Sequence, residues 1–188
     1  MGGQEARSFG LSVIALMVLP GVVGAQFGDN APKAPKELRA SKGQVVLLHL
    51  HGKGEQLYVC QAAGDGASAP KWKFNAPKAD LFGESGERVG RHFGGPTWEA
   101  QDGSKVVGKV MASAPSPDTN NIPWLLLTMV SRSEKGIFSR VDSIQRLDTK
   151  GGTAPTTTCT LNEEKGVDYE AEYYFYGQPM TGALNNAQ

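Results

Sequence analysis

The chain predicts an all-β fold: a single-domain sandwich or barrel of about seven to nine short, mostly antiparallel strands, clasped by one disulfide. Three observations lead there. Gly (24) and Pro (11) punctuate the 188 residues at short intervals, and no sustained helical pattern runs between them. Strand-length apolar runs recur with alternating faces, as in residues 71–74 and 169–176. No strand–helix alternation supports a parallel sheet.

The N-terminus reads as an export signal. Arg7 precedes an apolar run over 11–23, broken by Pro20 and Gly21, and Val23 and Ala25 occupy the −3 and −1 positions of a cleavage site before Gln26. The run of about 13 residues falls short of the roughly 20 that span a bilayer, and no Cys follows it to carry a lipid. Residues 1–25 are therefore expected to be a signal peptide, which places the mature protein in the periplasm or outside the cell with no stable membrane insertion. Lys plus Arg (19) equals Asp plus Glu (19), so net charge gives no pull toward nucleic acid. The two thiols, Cys60 and Cys159, are an even count in an oxidising compartment and are expected to bridge. Closing a loop of about 100 residues stabilises by roughly 4–5 kcal/mol in the chain-entropy model.

Along the mature chain, residues 26–43 are rich in Ala, Pro and Lys and read as an extended N-terminus. Residues 44–51 (QVVLLHLH) suit a buried strand; 52–54 (GKG) is expected to turn, and 56–60 to return as its hairpin partner. A loop over 64–70 leads to 71–74, where Trp72 and Phe74 share one face and Lys71 and Lys73 the other. Gly94, Gly95 and Pro96 force a tight backbone before a strand at 97–100, a turn at Asp102 and Gly103, and a return strand over 105–114. Gly108 inside that strand marks a bulge or a close backbone approach. Residues 122–130 form the most apolar stretch of the mature chain, entered at Pro123. A further strand is expected over 138–147, and a Gly/Thr/Pro loop over 149–158 leads to Cys159. The closing strand 169–176 puts Tyr169, Ala171, Tyr173 and Phe175 on one face. The β domain thus spans 44–176, with a C-terminal tail at 177–188.

Two constellations could carry chemistry. His92, Glu99 and Asp102, joined by Arg146, offer a His beside carboxylates for general-base work. Set against that, Asp102 simply makes a turn with Gly103, Glu99 pairs with Arg146 or a Lys, and His92 bonds to backbone. His49 and His51 lie at i and i+2, on one strand face, and with Glu55 resemble the first half of a cupin metal motif. The second half, with its further His, is missing. Trp98 and Trp124 are candidates to line a ligand pocket, although buried aromatics more often build a core. No cofactor motif is present: GxSxG, HExxH, P-loop and CxxC patterns are all lacking.

Several stretches together resemble one known family: residues 54–60 (GEQLYVC), 92–99 (HFGGPTWE), 102–104 (DGS), 122–127 (IPWLLL), 144–146 (IQR), 149–155 (TKGGTAP) and 171–176 (AEYYFY). They are similar to the domain of unknown function family 3455 (DUF3455) of exported bacterial and fungal proteins, over roughly residues 44–176. The His49/His51 pair departs from the small or apolar residues usual there. Some fungal relatives carry a malate dehydrogenase label. A nicotinamide site needs a strand, a Gly-rich turn and a helix N-terminus for the pyrophosphate, and here the glycines at 52 and 54 lead into a second strand-like run. The sequence therefore favours a binding or structural module of the periplasm or cell surface, with a small molecule or envelope component as partner. The alternative is a metal-dependent or acid–base hydrolytic enzyme using the residues above.

Overall fold

The computed structural model describes Gly2, residues 31–64 and residues 69–180; the expected signal peptide apart from Gly2, and most of the expected tail, lie outside the described residues. Eight strands, all paired antiparallel in chain order, close into one barrel: β1 (Val45–Gln61), β2 (Lys71–Phe82), β3 (Arg88–Phe93), β4 (Thr97–Ala100), β5 (Lys105–Ala114), β6 (Trp124–Arg132), β7 (Ser143–Gly151) and β8 (Glu164–Gly177). Barrel, not sandwich, is the outcome, because β8 returns to pair along β1 from Val45↔Gly177 to Val59↔Glu164. Closure leaves no free sheet edge.

β1 departs most from expectation. Residues 52–54 do not turn; the strand runs 17 residues straight through them, pairing His51↔Phe82 through Gln61↔Lys71 with β2 on its other edge. The expected hairpin of 44–51 with 56–60 is therefore wrong. Its glycines serve packing instead of a turn, and neither has a positive φ. A Cβ on Gly52 would sit 2.5 Å from the Tyr173 ring, and one on Gly54 2.2 Å from the Lys78 carbonyl oxygen. The sequence signal is the same in both cases, since glycine permits close approach as readily as it permits a turn.

Other boundaries move too. The 88–93 stretch, not foreseen as a strand, is β3, and β7 starts at Ser143 rather than at 138 and continues to Gly151. Phe138 instead packs inside as a buried ring stacked on Phe175, with centroids 5.0 Å apart. Gly108 behaves as expected: the β5–β6 register shifts beside it, and a Cβ there would crowd Trp98 and Leu127 at 3.2 Å.

The interior follows strand parity. Leu50, Leu81, Trp98, Val106, Leu127, Ile144, Tyr173 and Phe175 form one buried cluster. Large and small residues alternate along it, with His92↔Trp98 beside Gly90↔Ala100 and Leu50↔Tyr173 two places from Gly52↔Ala171. A second, outer cluster is built by the N-terminal arm. A single 3-10 turn, Lys36–Leu38, lays Leu38, fully buried, onto Ala114, Leu126 and Leu147. Gln145 Nε2 donates to the Leu38 carbonyl, and Ser143 Oγ to Gln44 Oε1. The arm is thus packed onto the barrel wall, where the sequence offered only an extended lead-in.

The expected bridge is present. Cys60 and Cys159 are joined, with Cα atoms 5.9 Å apart, tying the end of β1 to the segment entering β8. Cys60 N–H also donates to Glu163 O, and Asn162 N–H to Cys60 O. Replacing both cysteines by Ser should lower the unfolding free energy by about 4 kcal/mol, and Leu38→Ala by about 2–5 kcal/mol, both read from denaturant curves. A Leu38→Ala loss below about 0.5 kcal/mol, the range of an ordinary surface change, would contradict the docked arm.

Candidate functional site

The acid–base candidates separate by strand parity. On β3 and β4 the facing pairs are His92↔Trp98 and Arg91↔Glu99; the first pair faces the interior and the second faces outward. His92 is 3 % exposed. Its ring stacks on Trp98 with centroids 4.2 Å apart and meets Tyr173 edge-on. Nδ1 donates to the Thr97 carbonyl at 2.8 Å, across the turn where Gly95 takes φ 92°. Burial pushes the His92 pKa down to about 3; the bond to Thr97 opposes this and the Arg146 charge adds to it. The ring is therefore neutral and held by backbone.

Glu99 lies outside, bonded by Arg91 Nη2 at 2.8 Å and approached by Lys105 Nζ at 3.6 Å. The Arg91 hydrogen bond is the largest influence holding its carboxyl below the usual range. Its partners are thus Arg91 and a Lys, and Arg146 is not among them. Asp102 makes the expected turn with Gly103 (φ 82°). Its carboxylate accepts from Ser104 Oγ, Ser104 N–H and Ile137 N–H, which together hold its pKa low, Ser104 first. It pins the 134–140 segment to the barrel end. The structure does not gather His92, Glu99 and Asp102 into one cleft.

Arg146 points inward from β7, on the face it shares with Ile144, between Leu125 and Tyr173 on the neighbouring strands. Nε and Nη2 donate to the Pro123 carbonyl at 3.2 and 2.8 Å. No carboxylate among the described residues pairs with it.

His49 and His51 share the outer face of β1, as their spacing requires. Their shared partner is Glu172 on β8, and Glu55 lies further along the strand, opposite Asp168. His49 Nε2 and His51 Nδ1 each stand 2.8 Å from a different oxygen of the Glu172 carboxylate, and His49 stacks on Tyr174 at 4.3 Å. The carboxylate sits between the two rings, held below its usual pKa, chiefly by the His49 bond, with burial opposing. Among the described residues no group of three or more His, Cys, Asp or Glu is placed to hold a metal ion. Glu172 was invisible as a partner in the sequence, because only the β1–β8 register brings it beside His51.

Trp98 is core, 1 % exposed. Trp124 packs partly buried against the arm cluster. The indole N–H of each is buried without a partner, as is the Gln56 amide nitrogen. Gln56, 2 % exposed and inward-facing on β1, was not singled out from sequence; its place in the period-two pattern of 50–60 was the available signal, hidden by the expected turn.

The family model for a protein of unknown function, DUF3455, matches residues 40–177. This chain belongs to the DUF3455 family. A search of curated proteins and a search of solved structures each returned no match. The DUF3455 match begins at residue 40, so Leu38 and its 3-10 turn stand just ahead of it. The only helix among the described residues is that three-residue turn, so the strand–turn–helix unit of a nicotinamide site is not formed there.

The His92 environment has a pH signature. Unfolded His92 takes up a proton near pH 6.5, while the folded ring resists until about 3. Stability should thus be full above about pH 6.5 and fall as pH drops, by at most about 1.4 kcal/mol per unit. Glu172 and the other depressed carboxyls contribute loss only below their ordinary values. Between pH 6.5 and 4.5, His92→Phe should therefore flatten the slope of unfolding free energy against pH; an unchanged slope would contradict a buried neutral ring.

Proposed function

We propose that this DUF3455 protein is an exported, disulfide-bonded binding or structural module of the periplasm or cell surface. The observation that carries the reading is the filled interior. The His92–Trp98–Tyr173 stack occupies the space a substrate would need beside the one buried imidazole, and the carboxylates proposed to work with it face elsewhere. Binding is then left to the barrel's ends and outer wall.

The compartment reading is supported by the Cys60–Cys159 bridge, which persists in oxidising surroundings. No helix among the described residues is long and apolar enough to cross a membrane. The outer wall carries Lys53, Glu170 and Lys150 in one ion-paired group, and Arg88 with Asp80 in another. A charged exterior around an apolar interior is the reverse of a membrane-spanning barrel, whose lipid-facing band is apolar. A filled barrel wearing charge suits a protein that works in water outside the cytosol.

The full-length chain expressed with its own leader should appear in the periplasmic or secreted fraction. Its N-terminal residue should be Gln26, and no thiol should be open to alkylation before reduction. A protein retained in the cytosol with residue 1 intact and both thiols reactive would overturn the reading.

A further inference from the structure

One end of the barrel, where β7 runs into Gly151 and the chain passes Pro123, collects more hydrogen-bond donors than acceptors. Arg146 brings a guanidinium with five N–H groups. It donates from Nε and Nη2 to the Pro123 carbonyl and reaches the Tyr173 hydroxyl, which leaves further N–H groups over. Its charge is felt at Tyr58, His92, Tyr169 and Tyr173, in each case after the larger effect of burial. Tyr169 and Tyr173 hydroxyls share one hydrogen bond, at 3.2 Å, so one of their two protons stays free. Gln56 Nε2 is buried without a well-formed hydrogen bond, with the Tyr169 hydroxyl as its nearest polar neighbour.

These groups are neighbours. A Cβ placed on Gly152 would lie 2.8 Å from Tyr169 Cβ and 3.0 Å from Gln56 Cγ, and Tyr58 donates its hydroxyl to the carbonyl of that same Gly152 at 2.6 Å. Tyr173 faces Arg146 directly across the β7–β8 ladder. An inward cation with surplus donors around it, which burial makes costly to leave unpaired, calls for an occupant that only accepts and carries negative charge. Water compensates poorly, since it brings two further protons and no charge. An ionised carboxylate is acceptor-only and matches a guanidinium fork in two parallel bonds.

We propose that this barrel end binds a small organic carboxylate, its oxygens taken by Arg146 and Gln56 beside the Tyr169–Tyr173 hydroxyl pair. The assignment rests on the binding-module reading above and names its ligand class. Gly152, Tyr58 and Pro123 border these groups, which favours short acids over polymers.

The test is calorimetric titration of the exported, disulfide-bonded protein with acetate, propionate and succinate, against chloride, sulfate and phosphate at fixed ionic strength. Wild type and the outer-wall control Arg91→Met should show saturable binding of at least one carboxylate. Arg146→Met and the charge-keeping Arg146→Lys should each weaken it about tenfold or more, and Gln56→Met by a smaller factor. If the Arg146 variants do not fold, Gln56→Met and the shift of the wild-type Arg146 Nε–H resonance on adding acid decide the matter. The proposal is overturned if no carboxylate saturates by roughly 50 mM, well past a millimolar Kd. It is equally overturned if Arg146→Met binds as well as wild type, if sulfate or phosphate binds as tightly, or if a crystal soaked in acid holds only water at Arg146. Exported, bridged protein that fails to bind removes this site alone; protein that binds but stays in the cytosol removes the compartment reading alone.

Discussion

Everything in this barrel depends on β1 being paired along both edges. It gives its backbone to β2 from His51 to Gln61 and to β8 from Val45 to Val59, so the sheet has nowhere to end and must close. Two strands can flank one so tightly wound only where side chains step aside. Gly52 yields to the Tyr173 ring and Gly54 to the backbone of β2. On the far side Gly90 allows the same approach, since a Cβ there would stand 2.2 Å from the Glu99 carbonyl oxygen. The small residues thus set the barrel's width, and the large ones fill what remains.

That filling decides the chemistry. Trp98, Tyr173 and Phe175 interlock at T-shaped angles, and His92 is stacked into them as one more ring. A histidine so placed loses its charge to burial and commits its Nδ1–H to a hydrogen bond with the Thr97 carbonyl, and it works as a packing residue with one polar obligation. The charged groups that remain are sorted by strand parity. Carboxylates and lysines pair on the outer wall, where exposed ion pairs contribute about 0–1 kcal/mol. Among the described residues Arg146 alone is turned inward among aromatic hydroxyls, and that placement gives the site proposed at the barrel end.

Much of this was legible in the residues. The Cys60–Cys159 bridge followed from an even cysteine count behind a stretch that reads as an export leader. The alternation in 169–176 named the inward face of β8 residue by residue, and Gly108 announced its own close contact. Much of what failed has a common cause. A glycine pair reads the same whether it bends a chain or admits a neighbour, so 52–54 looked like a turn and the longest strand was cut in two. With β1 cut, Gln56 lost its place in the inward series and Glu172 could not be seen beside His51. Long-range register carries that information, and a single sequence does not encode it locally. The arm went unread because one buried leucine in an Ala/Pro/Lys background gives no periodicity to detect.

A continuous, doubly paired β1 closing the barrel is the premise beneath both the filled interior and the donor-lined end. Native-state amide hydrogen exchange measures it residue by residue. The account predicts that the amides of residues 50–58, including Gly52 and Gly54, exchange only through global opening and as slowly as those of 169–175 on β8. Amides at 52–54 exchanging orders of magnitude faster than their neighbours, as the tip of a hairpin would, would contradict it.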